Sequence, residues 1–112
     1  MRYALMIYTE AGYDEGLSEV ERAAMLGEYA ALFDDERCVG AARLQPAETA
    51  TSVRVDGGRT LMTDGPFADT KEVLGGFCLL EADNLDEAIE LAARIPAVRF
   101  GGTVEVRPVV QR

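Results

Sequence analysis

Two stretches of this chain are apolar on both of their alternating faces. Tyr3-Ala4-Leu5-Met6-Ile7-Tyr8, near the start, carries apolar side chains at odd and even positions alike, and so does "GFCLLEA" over Gly76–Ala82. That pattern predicts central strands covered on both sides, because a half-solvated strand alternates with period two. Between Thr9 and Leu17 lies a polar loop with Gly12 and Gly16. Ser18-Glu19-Val20-Glu21 then reads as a capping box, in which the Ser18 hydroxyl accepts from the Glu21 amide and the Glu21 carboxylate reaches back. The helix it opens is expected to run to about Arg37. Leu26, Tyr29, Ala30 and Phe33 share its apolar face at i, i+3, i+4, i+7 spacing, and Gly40 offers a left-handed terminator.

A short strand at Ala41–Leu44 and the breaker Pro46 come next. "TSVRV" and "RTLMT" flank Asp56-Gly57-Gly58, alternation around a D-G turn that predicts a hairpin. Asn84 with Glu87 caps a second helix, with Leu85, Ala88, Ile89 and Ala92 on its apolar face and Pro96 as its stop. After Gly101-Gly102, "TVEVRPVV" forms a last strand. Val104, Val106 and Val110 point one way and Glu105 and Arg107 the other.

The order is β-α-β, a hairpin, then β-α-β. It predicts a ferredoxin-like α+β sandwich, one antiparallel sheet with two helices on one face. Two helices cover only one face, yet both central strands are apolar on the other as well. A second copy of the chain is the simplest cover, so a homodimer with sheets packed face to face is expected.

Composition narrows the function classes. At 112 residues the chain is the size of one domain, 1–112, and a domain of this size buries roughly two-thirds of its unfolded surface. A net charge of −9 argues against a nucleic-acid partner, which would need clustered Lys and Arg. No window approaches the ~18 consecutive apolar residues of a membrane span, so no membrane partner is expected. "MRYALMIYTE" has too short an apolar run for a signal peptide, and a cytoplasmic location is expected. Cys38 and Cys78, lacking C-x-x-C spacing, read as two free, largely buried thiols. The chain has no His, which removes His triads, His-based metal sites and imidazole acid–base chemistry. No Gly-rich phosphate loop occurs either. No cofactor and no metal site are expected, and any chemistry falls to Asp, Glu, Lys, Arg, Tyr, Cys, the backbone or the substrate.

Candidate chemistry concentrates in Thr63–Phe77, "TDGPFADTKEVLGGF". As scaffold, Asp64 caps a turn, Gly65 and Pro66 shape its backbone, Phe67 plugs into the core, and Gly75-Gly76 permit close backbone approach. As a site, the same loop closes the mouth of a cavity. Asp64 is then a general base or a ligand-orienting carboxylate. Lys71, the chain's one lysine, holds an anionic group, and Glu72 tunes or orients it. Asp69 and Thr70 could equally cap a turn. Tyr29 could reach the same cavity from the first helix, and Gly65, Pro66, Phe67 and Arg107 are further ligand-binding candidates. Arg54 and Arg107 are alternatively sheet-face ion-pair residues, with Glu105 the natural partner. Asp34-Asp35-Glu36 reads as a solvated helix end.

These segments carry a family resemblance. "TDGPFADTKEVLGGF", "RLQPAETATSVRV" and the closing "VEVRPVV" resemble the YCII-related superfamily, more narrowly its DGPF-domain branch, and the likeness runs from "MRYALMIY" to "EVRPV". The resemblance implies a dimeric α/β-barrel but no settled reaction. Members are mostly uncharacterised bacterial proteins, often encoded near extracytoplasmic-function sigma factors. Relatives of the fold include cofactor-independent oxygenases, dehalogenases and muconolactone isomerases. The His–Asp pair suggested for YciI-type members has no counterpart in a chain without His. Three functions follow as expectations: a domain binding a small organic ligand, anionic or neutral, beside the DGPF loop; a cofactor-independent enzyme acting on a small organic acid with Asp64 as base; or a structural protein associated with sigma-factor regulation.

Overall fold

The computed structural model describes residues 1–68 and 70–111. They form β1 (Arg2–Glu10), α1 (Glu19–Phe33), β2 (Cys38–Arg43), β3 (Thr51–Asp56), β4 (Arg59–Asp64), β5 (Glu72–Glu81), α2 (Leu85–Ala92) and β6 (Thr103–Pro108), in the predicted order. Four strands make one antiparallel sheet, β2-β5-β1-β6, and β3-β4 stands apart as a two-stranded ribbon. This is the ferredoxin-like α+β arrangement. The two apolar stretches are its central strands.

On the inner face Tyr3, Leu5, Ile7, Cys78 and Leu80 are buried together with Ala88, Leu91, Ala92 and Ile95. On the outer face Ala4, Met6, Tyr8, Phe77 and Leu79 are only half-buried, although they are as apolar as the inner set.

The capping box of α1 forms as expected. Ser18 Oγ accepts from the Glu21 amide at 3.1 Å, and the Ser18 amide donates to Glu21 Oε1 at 3.1 Å. The helix ends earlier than predicted, at Phe33, with Asp34 as its C-cap. Gly40 does not terminate it and lies inside β2. Three successive acids at 34–36 face the negative end of the helix dipole, which disfavours another turn. Of the predicted apolar stripe, Tyr29 and Phe33 pack against the core. Met25 is the buried residue of α1, 1% exposed, whereas Leu26 is 41% exposed.

In α2 the Asn84 side chain accepts from the Glu87 amide at 2.9 Å. Its buried positions are Ala88, Leu91 and Ala92, not the predicted Leu85 and Ile89, which are exposed. The helix stops at Ala92, and Pro96 instead opens a 3₁₀ turn, Pro96–Phe100, where its missing N–H is no loss. β6 ends at Pro108, which cannot donate to a ladder, and Val110 beyond it is exposed.

The ribbon β3-β4 turns through Gly57 and Gly58, at φ 57° and 79°. Two successive positive φ angles define the two-residue hairpin turn that D-G sequences favour. Val53 sits opposite Met62 in the register, Val55 falls on the same face, and all three are more than half exposed. In β5 the pairing with β1 runs regularly from Arg2↔Glu81 to Ile7↔Gly76 and then slips to Tyr8↔Leu74, leaving Gly75 as an extra residue. A methyl on the neighbouring Gly76 would stand 2.9 Å from the Ala42 carbonyl of β2, so the strands approach here only because the side chain is missing.

Asp35 is not a solvated helix end. Arg37 donates to it through Nε at 3.0 Å and Nη2 at 2.9 Å, and through Nη1 to Glu87 Oε1 at 2.9 Å, tying the end of α1 to the start of α2. The Arg37 side chain, with help from its amide, holds the Asp35 carboxyl down at about 2, against an ordinary 3.8. A depressed acid contributes stability that is complete above its unfolded value and lost as pH falls through its folded value. Part of the acid lability between about pH 4 and about pH 2 therefore belongs to Asp35. Asp35→Asn is expected to flatten the fall of the thermal midpoint across that window; an unchanged slope would remove Asp35 from the account.

Candidate functional site

One end of the sheet is hollow. A cavity of about 680 Å³ lies where the C-terminal ends of β1 and β2 and the N-terminal end of β5 meet α1. Ile7, Ala42, Gly75 and Gly76 form its floor, and the two glycines and the alanine are what leave it room. Leu26, Tyr29, Ala30 and Phe33 of α1 form a wall. These four are the stripe that the 3.6-residue periodicity marked out. They line the cavity, Tyr29 and Phe33 also touching the core cluster, while Leu32 packs on the core alone and Met25 is fully buried.

The β1–α1 loop closes one side, contributing Ala11 to Glu15. Arg22 pins it by donating through Nη1 to Asp14 Oδ2 at 2.8 Å and through Nη2 to the Asp14 carbonyl at 2.9 Å. Tyr13 leans on Phe100, ring centroids 6.3 Å apart. A smaller hollow of about 350 Å³ shares Leu44, Pro46, Val73 and Leu74 with the first and adds Pro66 of the DGPF turn.

The polar lining of the large cavity includes four carboxylates, Glu10, Asp14, Glu15 and Glu48, two cations, Arg43 and Lys71, and the Tyr29 phenol. Burial pushes the Tyr29 hydroxyl up to about 12, with the adjoining Tyr13 phenol adding to the shift. Tyr29 is thus a neutral hydrogen-bonding group at physiological pH and not a base. Arg43, at the end of β2, stands close enough for its charge to act on Tyr29, and it forms no ion pair among the described residues. Lys71 lines the rim, 84% exposed in its side chain, with Nζ 3.3 Å from Glu10 Oε1.

The sequence-derived candidates are dispersed around this cavity. Tyr29 and Lys71 line it. Glu72 sits opposite Glu10 in the β1–β5 register, and the carboxylate that meets Lys71 is Glu10. Asp64, the exposed last residue of β4, lines neither hollow. Its turn is held instead by backbone and neighbour: the Gly65 amide donates to Ala50 O at 2.7 Å, and Ser52 Oγ donates to Gly65 O at 2.8 Å. Gly65 takes φ 95°, the left-handed region that glycine enters without penalty.

Pro66 lines the smaller hollow. Phe67 is not in the core: it is 74% exposed and lies under the Arg54 guanidinium, 4.8 Å from ring centroid to Cζ. Thr70 donates its hydroxyl to the Glu72 carbonyl at 2.6 Å, and Asp69 lies outside the described residues. Arg107 is on the outer face of β6, 3.1 Å from Glu105, away from the cavity.

Glu10, Tyr13 and Arg43 are among the cavity residues that escaped the sequence reading. Tyr13, an aromatic in a loop between Gly12 and Gly16, was the available signal. The position of Arg43 depends on β2 ending beside α1, which no local pattern encodes. Among the described residues no three of His, Cys, Asp or Glu gather as metal ligands, and no helix is long and apolar enough to cross a membrane.

Fold and cavity together define a ferredoxin-like α+β domain with a concave, largely apolar chamber at one sheet end. The chain belongs to the YCII-related domain family, whose profile matches residues 1–112. It is similar to an uncharacterised protein of Rhizobium meliloti (strain 1021), 33% identical over 114 residues, a match spanning 97% of this chain and 92% of that protein.

Proposed function

We propose that this protein is a homodimeric binding domain of the DGPF branch, holding a small organic anion in the chamber beside the DGPF turn. The observation that carries the reading is the orientation of α1. Leu26, Tyr29, Ala30 and Phe33 form an apolar stripe that touches the core only through Tyr29 and Phe33 and that lines a cavity of ligand size. Arg43 supplies a positive charge unclaimed by any described carboxylate, Lys71 a second at the rim, and Tyr29 a neutral hydrogen-bonding hydroxyl. Of the carboxylates in the lining, Asp14 is paired with Arg22 and Glu10 with Lys71, and an apolar body whose one carboxylate meets Arg43 matches that set. Asp64 lies off the chamber, so turnover with Asp64 as base draws no support from this geometry.

Homodimer formation rests on two further features. The outer sheet face presents Ala4, Met6, Tyr8, Phe77 and Leu79, and the β3-β4 ribbon exposes Val53, Val55 and Met62. An isolated two-stranded ribbon is marginal in water and gains stability by packing on a partner.

Thermal-shift screening of small carboxylic acids tests the ligand reading. A bound acid at a hundred times its Kd stabilises by about 2.7 kcal/mol, a shift of several degrees. The shift is expected to shrink in Arg43→Gln and Tyr29→Phe and to persist in Asp64→Asn. Silence across a broad acid set, or a hit indifferent to both cavity variants, would refute the reading.

A further inference from the structure

Cys38 and Cys78 are 40 residues apart in the chain, and their sulfurs are 3.0 Å apart in the fold. The cause is a local irregularity in β2. From Gly40↔Leu79 to Arg43↔Gly76 the β2–β5 register is regular, but Cys38 pairs with Leu80, so Val39 is an extra residue. Continued without that slip, the register would set Cys38 opposite Glu81 and aim its side chain at the outer face. With it, Cys38 falls on the inner face, where Cys78 and Leu80 lie. Cys78 is buried and Cys38 is half-buried on β2, an edge strand of the sheet. Burial and the neighbouring thiol push the Cys78 thiol up and keep it protonated; Cys38, the less buried of the two and on the edge strand, is the sulfur an oxidant meets first. The inner face is also the helix-covered one, so packing of outer faces between two copies would leave the pair unobstructed.

We infer that Cys38 and Cys78 form a reversible dithiol–disulfide pair, oxidised by a peroxide and reset by thiol exchange. In the forward direction the Cys38 sulfur attacks one peroxide oxygen; the O–O bond breaks and the other oxygen leaves as water. The Cys38 sulfenic acid so formed is attacked by Cys78 sulfur; the S–O bond breaks, the S–S bond forms, and the Cys78 proton leaves with the hydroxide as a second water. Two electrons pass from the two thiols to one peroxide. A dithiol reductant reverses the step through a mixed disulfide. The sulfurs must close by roughly 1 Å to reach bond length. The cross-link would join β2 to β5 and enclose the segment that carries Arg43, the β3-β4 ribbon, the DGPF turn and Lys71.

The test treats the intact protein with hydrogen peroxide and reads its mass. The expected product is lighter by about 2 Da, monomeric on a non-reducing denaturing gel, and restored by dithiothreitol. Peptide mapping finds residues 38 and 78 linked, and the thermal midpoint of the oxidised form rises by at least ~5 °C. Cys38→Ser and Cys78→Ser each abolish the loss of mass. Oxygen adducts on unlinked sulfurs, chains linked to one another, or two thiols still titratable after treatment would each overturn the inference.

Discussion

Gly102→Ala is expected to lower the free energy of unfolding by about 3 kcal/mol. A methyl there would stand 2.7 Å from the Tyr8 carbonyl oxygen, 2.9 Å from the Ala97 carbonyl oxygen and 3.0 Å from Thr9 Cγ2. The first two are backbone atoms and cannot swing aside. The Gly102 amide also donates to Ala97 O at 2.9 Å, so any retreat lengthens that bond. Gly101 is the internal comparison. Its surroundings are open, but it takes φ 82°, and alanine in the left-handed region costs about 1 kcal/mol. Asn, which tolerates that region, should recover part of the loss at 101 and none at 102. Urea unfolding of the four variants decides it; a Gly102→Ala loss no larger than that of Gly101→Ala would remove the steric account.

Phe77→Glu is expected to convert a dimer to a monomer without unfolding it. Phe77 projects from the central strand β5 onto the outer face, half-buried beside Met6, opposite which it lies in the register. In a face-to-face pair the substitution would place a carboxylate from each copy in an apolar contact, and an unpaired buried charge costs several kcal/mol. A cost of about 3 kcal/mol raises the dissociation constant more than 100-fold. Sedimentation should show wild type as a dimer at micromolar concentration and Phe77→Glu as a monomer, with unchanged circular dichroism. A monomeric wild type would end the dimer proposal.

The architecture was legible because its signals are local. Ser18 and Glu21, Asn84 and Glu87, and Gly57-Gly58 sit within a few residues of one another and set two helix starts and a turn. Apolarity on both faces of residues 3–8 and 77–82 marked the central strands. The α1 stripe shows where local reading stops. Periodicity located Leu26, Tyr29, Ala30 and Phe33 on one face but carries no information on whether that face meets packed atoms or space. What lies beneath them depends on Gly75 and Gly76, more than forty positions away. The pairings Lys71–Glu10, Arg37–Glu87 and Cys38–Cys78 were illegible for the same reason. Each joins residues that only sheet topology makes neighbours. Phe67 failed differently: hydrophobicity suggested the core, but its place after a protruding ribbon left it to a guanidinium.

The slip at Gly75 has a consequence for how β5 tolerates change. On its far side Cys78 and Leu80 belong to the packed core; on its near side Val73 and Leu74 line the chamber. Odd and even positions exchange faces across that one glycine, so the two halves of the strand answer to different selection. Substitutions at Val73 and Leu74 can reshape what the chamber admits while the core is left intact. Those at Cys78 and Leu80 are constrained by packing whatever the ligand. A single glycine lets one continuous strand serve two interiors that can vary independently.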